Sequence, residues 1–377
     1  MKRIYIYPSC QVTRGYSRSI IVDTHKGSYK FIPNALQHML SRCNGCTVDE
    51  ITQIFGAENS EAIEQYIEFL VENNFVFITT KPVAFSYDTY RFEHCGGLYD
   101  AQIEFDGRIP FELIDELSRV CCQFVHVFAS PEASFDSLLE LLNVLNTKRI
   151  NAIYLTLPYT PYFALRTDEL WATTVKLLQV IVIGAPQTSA QQRGPNGYQH
   201  LYMLDSSQSQ CLCCGGVWPR FFAPNAQMIA VTQCYNNCLF GKLYFGLDGI
   251  IKPCRYSKLK LGDVLNDGIE KVLKSSKYSD LCGITKDQVD VCRDCEFRRI
   301  CPDCRVFTRQ PERPTAHPAR CTYNPYLARW QGQPGYAPVE QCGTFTPQGF
   351  QPDAERIERL LVAAFSPPKT AISPQPV

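Results

Sequence analysis

Cysteine spacing constrains this chain more than any other feature. Residues 292–304 read CRDCEFRRICPDC, two Cx2C pairs with no histidine between them. Nine of the nineteen cysteines lie between 234 and 321: Cys234, Cys238, Cys254, Cys282, Cys292, Cys295, Cys301, Cys304 and Cys321. The opening, MKRIYIYPSCQVTRG, lacks the apolar core of a secretory signal,. No apolar run approaches the ~20 residues that span a bilayer. A cytoplasmic setting is therefore expected, where thiols stay reduced and dense cysteine points to metal rather than disulfides. Lysine plus arginine equals aspartate plus glutamate at 37 each. This balance gives no general pull toward nucleic acid or an anionic membrane, so neither is expected as a partner.

Around the cysteine segment the chain divides into regions of different pattern. Residues 1–80 carry short β-rich runs at 3–7, 18–23 and 28–32, with THKG (24–27) as a turn,. TVDE (47–50) is a capping-box start for one helix, and SEAIEQYIEFLVENN (60–74) is a second, with Ile63, Tyr66, Ile67 and Leu70 on one face,. FVFIT (75–79) closes the unit, which reads as a winged-helix-like module. Glu61, Glu64, Glu68 and Glu72 line the last helix and would repel a phosphate backbone,. Residues 98–233 alternate strands (101–105, 126–130, 152–157, 180–184) with helices (110–122, 134–147, 167–178), and IAVTQC (229–234) reads as a further strand. The fold class expected is α/β multidomain, with a truncated parallel (β/α) part-barrel in the middle. Residues 234–330 form a cysteine-rich domain. Residues 331–377 are a Pro/Gln-rich tail expected to be partly disordered, above all its ending SPPKTAISPQPV,.

Cys238 is followed by ten residues, Gly249, four residues and Cys254. Then come Cys292-x2-Cys295-x5-Cys301-x2-Cys304 and, sixteen residues later, Cys321. LDG (247–249) reads as a hairpin turn that aims Cys254 back toward Cys238,. Two Cx2C arms also suit a structural zinc site, because thiolates bind both metals. The ordered spacing strongly resembles the SPASM domain, the auxiliary iron–sulfur region of radical S-adenosylmethionine enzymes that modify peptides. One departure is x2 instead of x3 between Cys301 and Cys304. In its two-cluster form the resemblance implies two 4Fe-4S clusters. Cys238, Cys254 and Cys304 would hold one, with Cys234 or a member of CLCC (211–214) as fourth ligand. Cys292, Cys295, Cys301 and Cys321 would hold the other.

The Cx3Cx2C motif that binds the S-adenosylmethionine cluster is missing from this sequence. The strand at 101–105 is followed by DGRIPFELID, which contains no cysteine. No S-adenosylmethionine cofactor is expected, nor radical S-adenosylmethionine activity by this chain alone. The combination resembles the SPASM-domain protein of grasp-with-spasm peptide-modification systems, on the SPASM cysteines, the truncated α/β region and CTYNPYLARW (321–330). That resemblance implies two partners, a ribosomally made precursor peptide and an ATP-grasp ligase. It also gives residues 1–80 a leader-binding role. An extended leader would add at a sheet edge around Tyr29, Lys30 and Phe31 and pack on the helix bearing Ile63, Tyr66 and Leu70. The same apolar residues equally suit the module's own core. The catalytic residues stay unassigned. An autonomous iron–sulfur redox enzyme and a zinc-braced interaction scaffold are the competing readings.

Overall fold

A computed structural model describes residues 2–83, 97–193, 197–209 and 214–365. Cys211 and Cys213 of CLCC and the ending 366–377 lie outside the described residues.

The first module runs β1 (Arg3–Ile6), β2 (Cys10–Arg14), β3 (Ser19–Asp23), β4 (Ser28–Ile32), α1 (Asn34–Cys43), α2 (Val48–Phe55), α3 (Ser60–Glu72) and β5 (Val76–Thr79). β2, β3 and β4 form an antiparallel meander in which β4 is an edge, and β1 pairs with β5. The capping box starts α2 as its sequence dictates. Thr47 Oγ1 accepts the Glu50 amide at 3.3 Å, and the Glu50 carboxylate accepts the Thr47 amide at 2.8 Å,. Alternation along β3 sends Ile21 toward the module's own helices and Ile20 and Val22 toward the cysteine-rich domain,. The meander is thus covered on both faces.

The middle region is built from β6 (Asp100–Phe105), α4 (Phe111–Arg119), β7 (Phe124–Ala129), α5 (Phe135–Asn146), β8 (Ala152–Pro158), α6 (Pro161–Thr173), β9 (Leu177–Ile183), β10 (Ser189–Arg193), β11 (Gln199–Leu204), the single turn α7 (Ser206–Ser209) and α8 (Ala226–Cys234). Ile103, Val125, Val127, Leu155 and Val180 meet Ile114, Leu117, Leu138, Leu142 and Leu170 in one core, which places α4, α5 and α6 on a single face of the sheet. Two expectations need correction here. The run 229–234 is helix α8 rather than a strand. Asn225 Oδ1 caps it by accepting the Met228 amide at 2.8 Å, and so short a run, with Ile229, Ala230 and Val231 in succession, carries no period that separates helix from strand,. Helix α6 also begins at Pro161, ahead of the expected 167, because proline at the start of a helix gives up only an amide with no partner there.

The sheet continues across residue 234. β12 (Lys242–Phe245) pairs parallel to β6, and β13 (Ile250–Lys252) and β14 (Gly262–Asp263) extend the edge. The result is an open nine-stranded sheet, β10-β11-β9-β8-β7-β6-β12-β13-β14, rather than a closed barrel. Gly249, at φ 75°, makes the hairpin between β12 and β13, so LDG turns the chain as its sequence suggests,.

Beyond β14 come α9 (Ile269–Leu273), α10 (Ser276–Cys282) and the cysteine loops, then β15 (Tyr323–Asn324), β16 (Arg329–Trp330), β17 (Gly343–Thr346), β18 (Gly349–Pro352) and α11 (Ala354–Phe365). The Pro/Gln-rich stretch is more ordered than its composition suggests. Ala337, Val339, Cys342, Phe350 and Ile357 close a core on Val291, Tyr326 and Leu327. Average composition conceals those few well-spaced apolar residues.

Candidate metal centres

The CRDCEFRRIC stretch folds as two tight 3₁₀ turns, Cys292–Asp294 and Glu296–Arg299. The Cys295 amide donates to the Cys292 carbonyl at 3.0 Å, and the Cys301 amide to the Phe297 carbonyl at 3.0 Å. Such turns bring three thiols to one wall. Cys321 returns to them through an excursion closed by a bridge between Thr308 and Pro318, and pairs with Val217. Cys292, Cys295, Cys301 and Cys321 consequently line one small cavity, with Lys286, Phe297, His317 and Trp330. Burial raises every one of these thiols: Cys321 is pushed up to about 12, Cys292 and Cys295 go well above their ordinary range, and Cys301 also rises,.

A second cavity, of about 320 Å³, is lined by Cys214, Cys238 and Cys304. Cys254 is buried; its charge helps to raise the Cys214 and Cys238 thiols, and that of Cys304 helps to raise its own. A Cβ on Gly215 would stand 3.3 Å from Cys304 Sγ, a space only glycine leaves open at that residue's φ of 80°,. The Cys304 thiol is lowered to about 6 by a hydrogen bond from Cys214, which rises in turn by sharing its proton. Burial pushes Cys238 up to about 11. Pro302 and Asp303 also line this second cavity. The strap Cys301-Pro302-Asp303-Cys304 therefore separates the two spaces, contributing its first thiol to one and its last to the other.

Cys234 lies exposed at the end of α8 and lines neither cavity. Of the two alternatives for the fourth member, Cys234 or a residue of CLCC, it is Cys214, the last residue of CLCC, that lines the cavity with Cys238 and Cys304. The reason is geometric: the final turn of α8 carries Cys234 outward, whereas the bridge between Val217 and Cys321 draws the 214–217 segment inward. Cys43 belongs to the N-terminal core, with Cys46 packed against it.

The expected peptide contacts divide as well. Ile63 and Leu70, 3% and 0% exposed, are interior residues of the module and present no surface to a peptide. Helix α3 spends that face on its own core. Tyr66 is half-buried against the same core. Tyr29 and Phe31 meet Phe297 edge-on at 5.7 and 5.8 Å, so β4 docks on the cysteine loop. Lys30 is exposed. Arg18 holds the docking, with Nε 2.8 Å from the buried Glu296 carboxylate, which also accepts from Tyr323 Oη at 2.5 Å.

The donor chemistry fits metal clusters. Burial raises all four thiols of the first set, and the second set joins three raised thiols to the lowered Cys304; thiolates in such places require cationic compensation,. Among the described residues, no three histidine, cysteine, aspartate or glutamate side chains converge on a single-ion position. Residues 234–296 match the SPASM family, an iron-sulfur cluster-binding domain. Cys238, Cys254, Cys292 and Cys295 fall inside that match, and Cys214, Cys301, Cys304 and Cys321 outside it.

Similar solved structures include SuiB of Streptococcus suis bound to S-adenosylmethionine, at 10% identity and a TM-score of 0.30, covering 80% of this chain and 96% of that one. SuiB bound to its precursor peptide SuiA is similar at 10% identity and a TM-score of 0.28, covering 84% and 98%. No curated protein matches the chain. Among the described residues, no helix is long and apolar enough to cross a membrane.

Proposed function

We propose that this chain is a two-cluster iron–sulfur protein that serves in the maturation of a ribosomally made peptide. In this reading Cys292, Cys295, Cys301 and Cys321 hold one 4Fe-4S cluster. Cys214, Cys238, Cys254 and Cys304 hold the other. The observation that carries it is the pair of adjacent cysteine-walled cavities, each with two thiols of its set inside a segment that matches an iron-sulfur cluster-binding domain. Bound clusters would supply one-electron chemistry. The chain's own residues supply the thiolate walls, exclude water from the first cavity and set the distance between the two.

The first module is the precursor-binding part, a winged-helix-like leader reader. β4 keeps an unpaired edge. A groove of about 1,000 Å³ beside it is lined by Arg18, Tyr29, Phe31, Phe297, Arg329 and Trp330. An extended segment bound there would lie over the first cavity, with which the groove shares Phe297 and Trp330,. The ATP-grasp ligase enters as partner through the grasp-with-spasm resemblance, and bond formation belongs to it, since the cysteines of an S-adenosylmethionine cluster are missing.

Anaerobic purification with iron and sulfide analysis tests the cluster reading. About eight irons per chain are expected, and a colourless preparation rich in zinc alone overturns it in favour of a braced scaffold. Turnover of the precursor with and without the ligase separates a partner from an autonomous redox enzyme.

A further inference from the structure

The charges around the two cavities are not equivalent. Near the second, Asp303 is paired with Arg305 at 2.6 Å and accepts from Asn236 at 2.7 Å, and Lys242 is paired with Asp100 at 3.3 Å. Near the first, Glu296 is paired with Arg18 and Arg298 with Asp287. Lys286 is the exception. It is 3% exposed and lines the first cavity, and its ammonium donates to two neutral acceptors, the carbonyls of Cys301 and Pro302, at 2.5 and 2.9 Å. Among the described residues it enters no salt bridge, and Asp303, whose charge acts on it, is already held by Arg305.

A buried ammonium without a counter-ion is strongly unfavourable. Its position is explained if the cavity it faces receives an anion. A cuboidal cluster on four thiolates is net negative and becomes more so on reduction. A second polar group in the same wall is also left over: His317, 1% exposed, has an Nδ1 with no hydrogen-bond partner.

We infer that Lys286 is the built-in counter-charge of the centre held by Cys292, Cys295, Cys301 and Cys321, and that it makes this centre the more easily reduced of the two. The inference rests on the two-cluster reading above. A fixed positive charge stabilises the reduced, more negative cluster more than the oxidised one, so it raises the potential of the centre it faces. At the other centre the buried cation Lys242 is paired, and Arg320, which donates to the Cys214 carbonyl at 2.8 Å, is exposed and screened by water, so this bias is weaker there,.

Anaerobic redox titration of the full chain, monitored by electron paramagnetic resonance, provides the test, with iron counted in each variant. Lys286→Met is expected to move one of two midpoints to lower potential and leave the other in place. Lys286→Arg, which keeps the charge, should stay near the wild type. Should Lys286→Met shed about half the iron, retention of that iron by Lys286→Arg supports the counter-charge, and equal loss in both overturns it. Unchanged midpoints in an iron-replete Lys286→Met protein also overturn it. Wild type without iron removes the two-cluster reading and this inference together, an outcome the iron count distinguishes from the others.

Discussion

The two cavities share a strap of four residues yet are assembled in opposite ways. The first draws its thiols from a short stretch, 292–321, whose 3₁₀ turns and bridged excursion need little help from elsewhere. The second collects Cys214, Cys238, Cys254 and Cys304 from four places, one of them at the end of a hairpin that is itself the margin of the nine-stranded sheet. Local assembly makes a site whose members can be named from spacing. Long-range assembly makes a site that exists only when the sheet, α8 and the strap are all in place. The first should therefore be robust toward damage in the α/β region, and the second should report on it.

The strongest test of that contrast replaces one thiol in each. Cys295→Ala and Cys254→Ala are each expected to lower the iron content by about half, in different centres, as seen by resonance spectroscopy. Within the second set, Cys214→Ala should lose that centre while Cys234→Ala keeps the full iron content. Equal iron in those last two proteins would return the fourth thiol to α8.

Acid should act unevenly. His126 on β7 stacks on Phe128 at 4.1 Å and bonds Thr156 Oγ1 at 2.8 Å. Burial, with Lys242 and Arg255 nearby, lowers its pKa from 6.5 to about 4. The unfolded chain binds this proton more readily, so stability contributed by neutral His126 is complete above pH 6.5 and is lost as pH falls from 6.5 toward 4,. The loss amounts to about 3 kcal/mol. Denaturant unfolding across that window should show a shallower pH dependence in His126→Gln. The same acid range should release the sheet-dependent centre before the local one.

Docking of the first module is the next smaller effect. Arg18→Ala leaves the Glu296 carboxylate, 1% exposed, with only Tyr323 among these partners. It should destabilise the protein by about 2–3 kcal/mol, measured by chemical denaturation, and loosen the wall of the first cavity beside Phe297. Adding Glu296→Gln should recover part of that loss, since an amide buried there carries no charge. Thr47→Ala removes the capping box far from both cavities and should cost about 1 kcal/mol with no change in iron.

Much of this molecule is legible in its residues. The capping box at 47–50, the alternating runs of β6 to β9, and the turn at Gly249 each follow from contacts made within a few residues, so their patterns are written where they act. The Cx2C pairs belong to the same class. What spacing could not convey was which distant thiol lies beside Cys238 and Cys304, because Cys234 and Cys214 have equal chemistry and differ only in where α8 and the 214–217 segment carry them. The helical state of 229–234 was hidden for a related reason: six residues, four of them apolar, suit either state until Asn225 caps one.

Sequence alone thus determined the local chelating loops, the strand–helix alternation and the missing Cx3Cx2C motif, features that depend on neighbours along the chain. Tertiary structure alone decided that β12 would join β6 across residue 234, that Ile63 and Leu70 would turn inward, that a Pro/Gln-rich stretch would close on Tyr326, and that Lys286 would face a wall of thiols. Those outcomes depend on which surfaces meet. Burial energy is summed over segments far apart in the chain, and no single window of residues contains that sum.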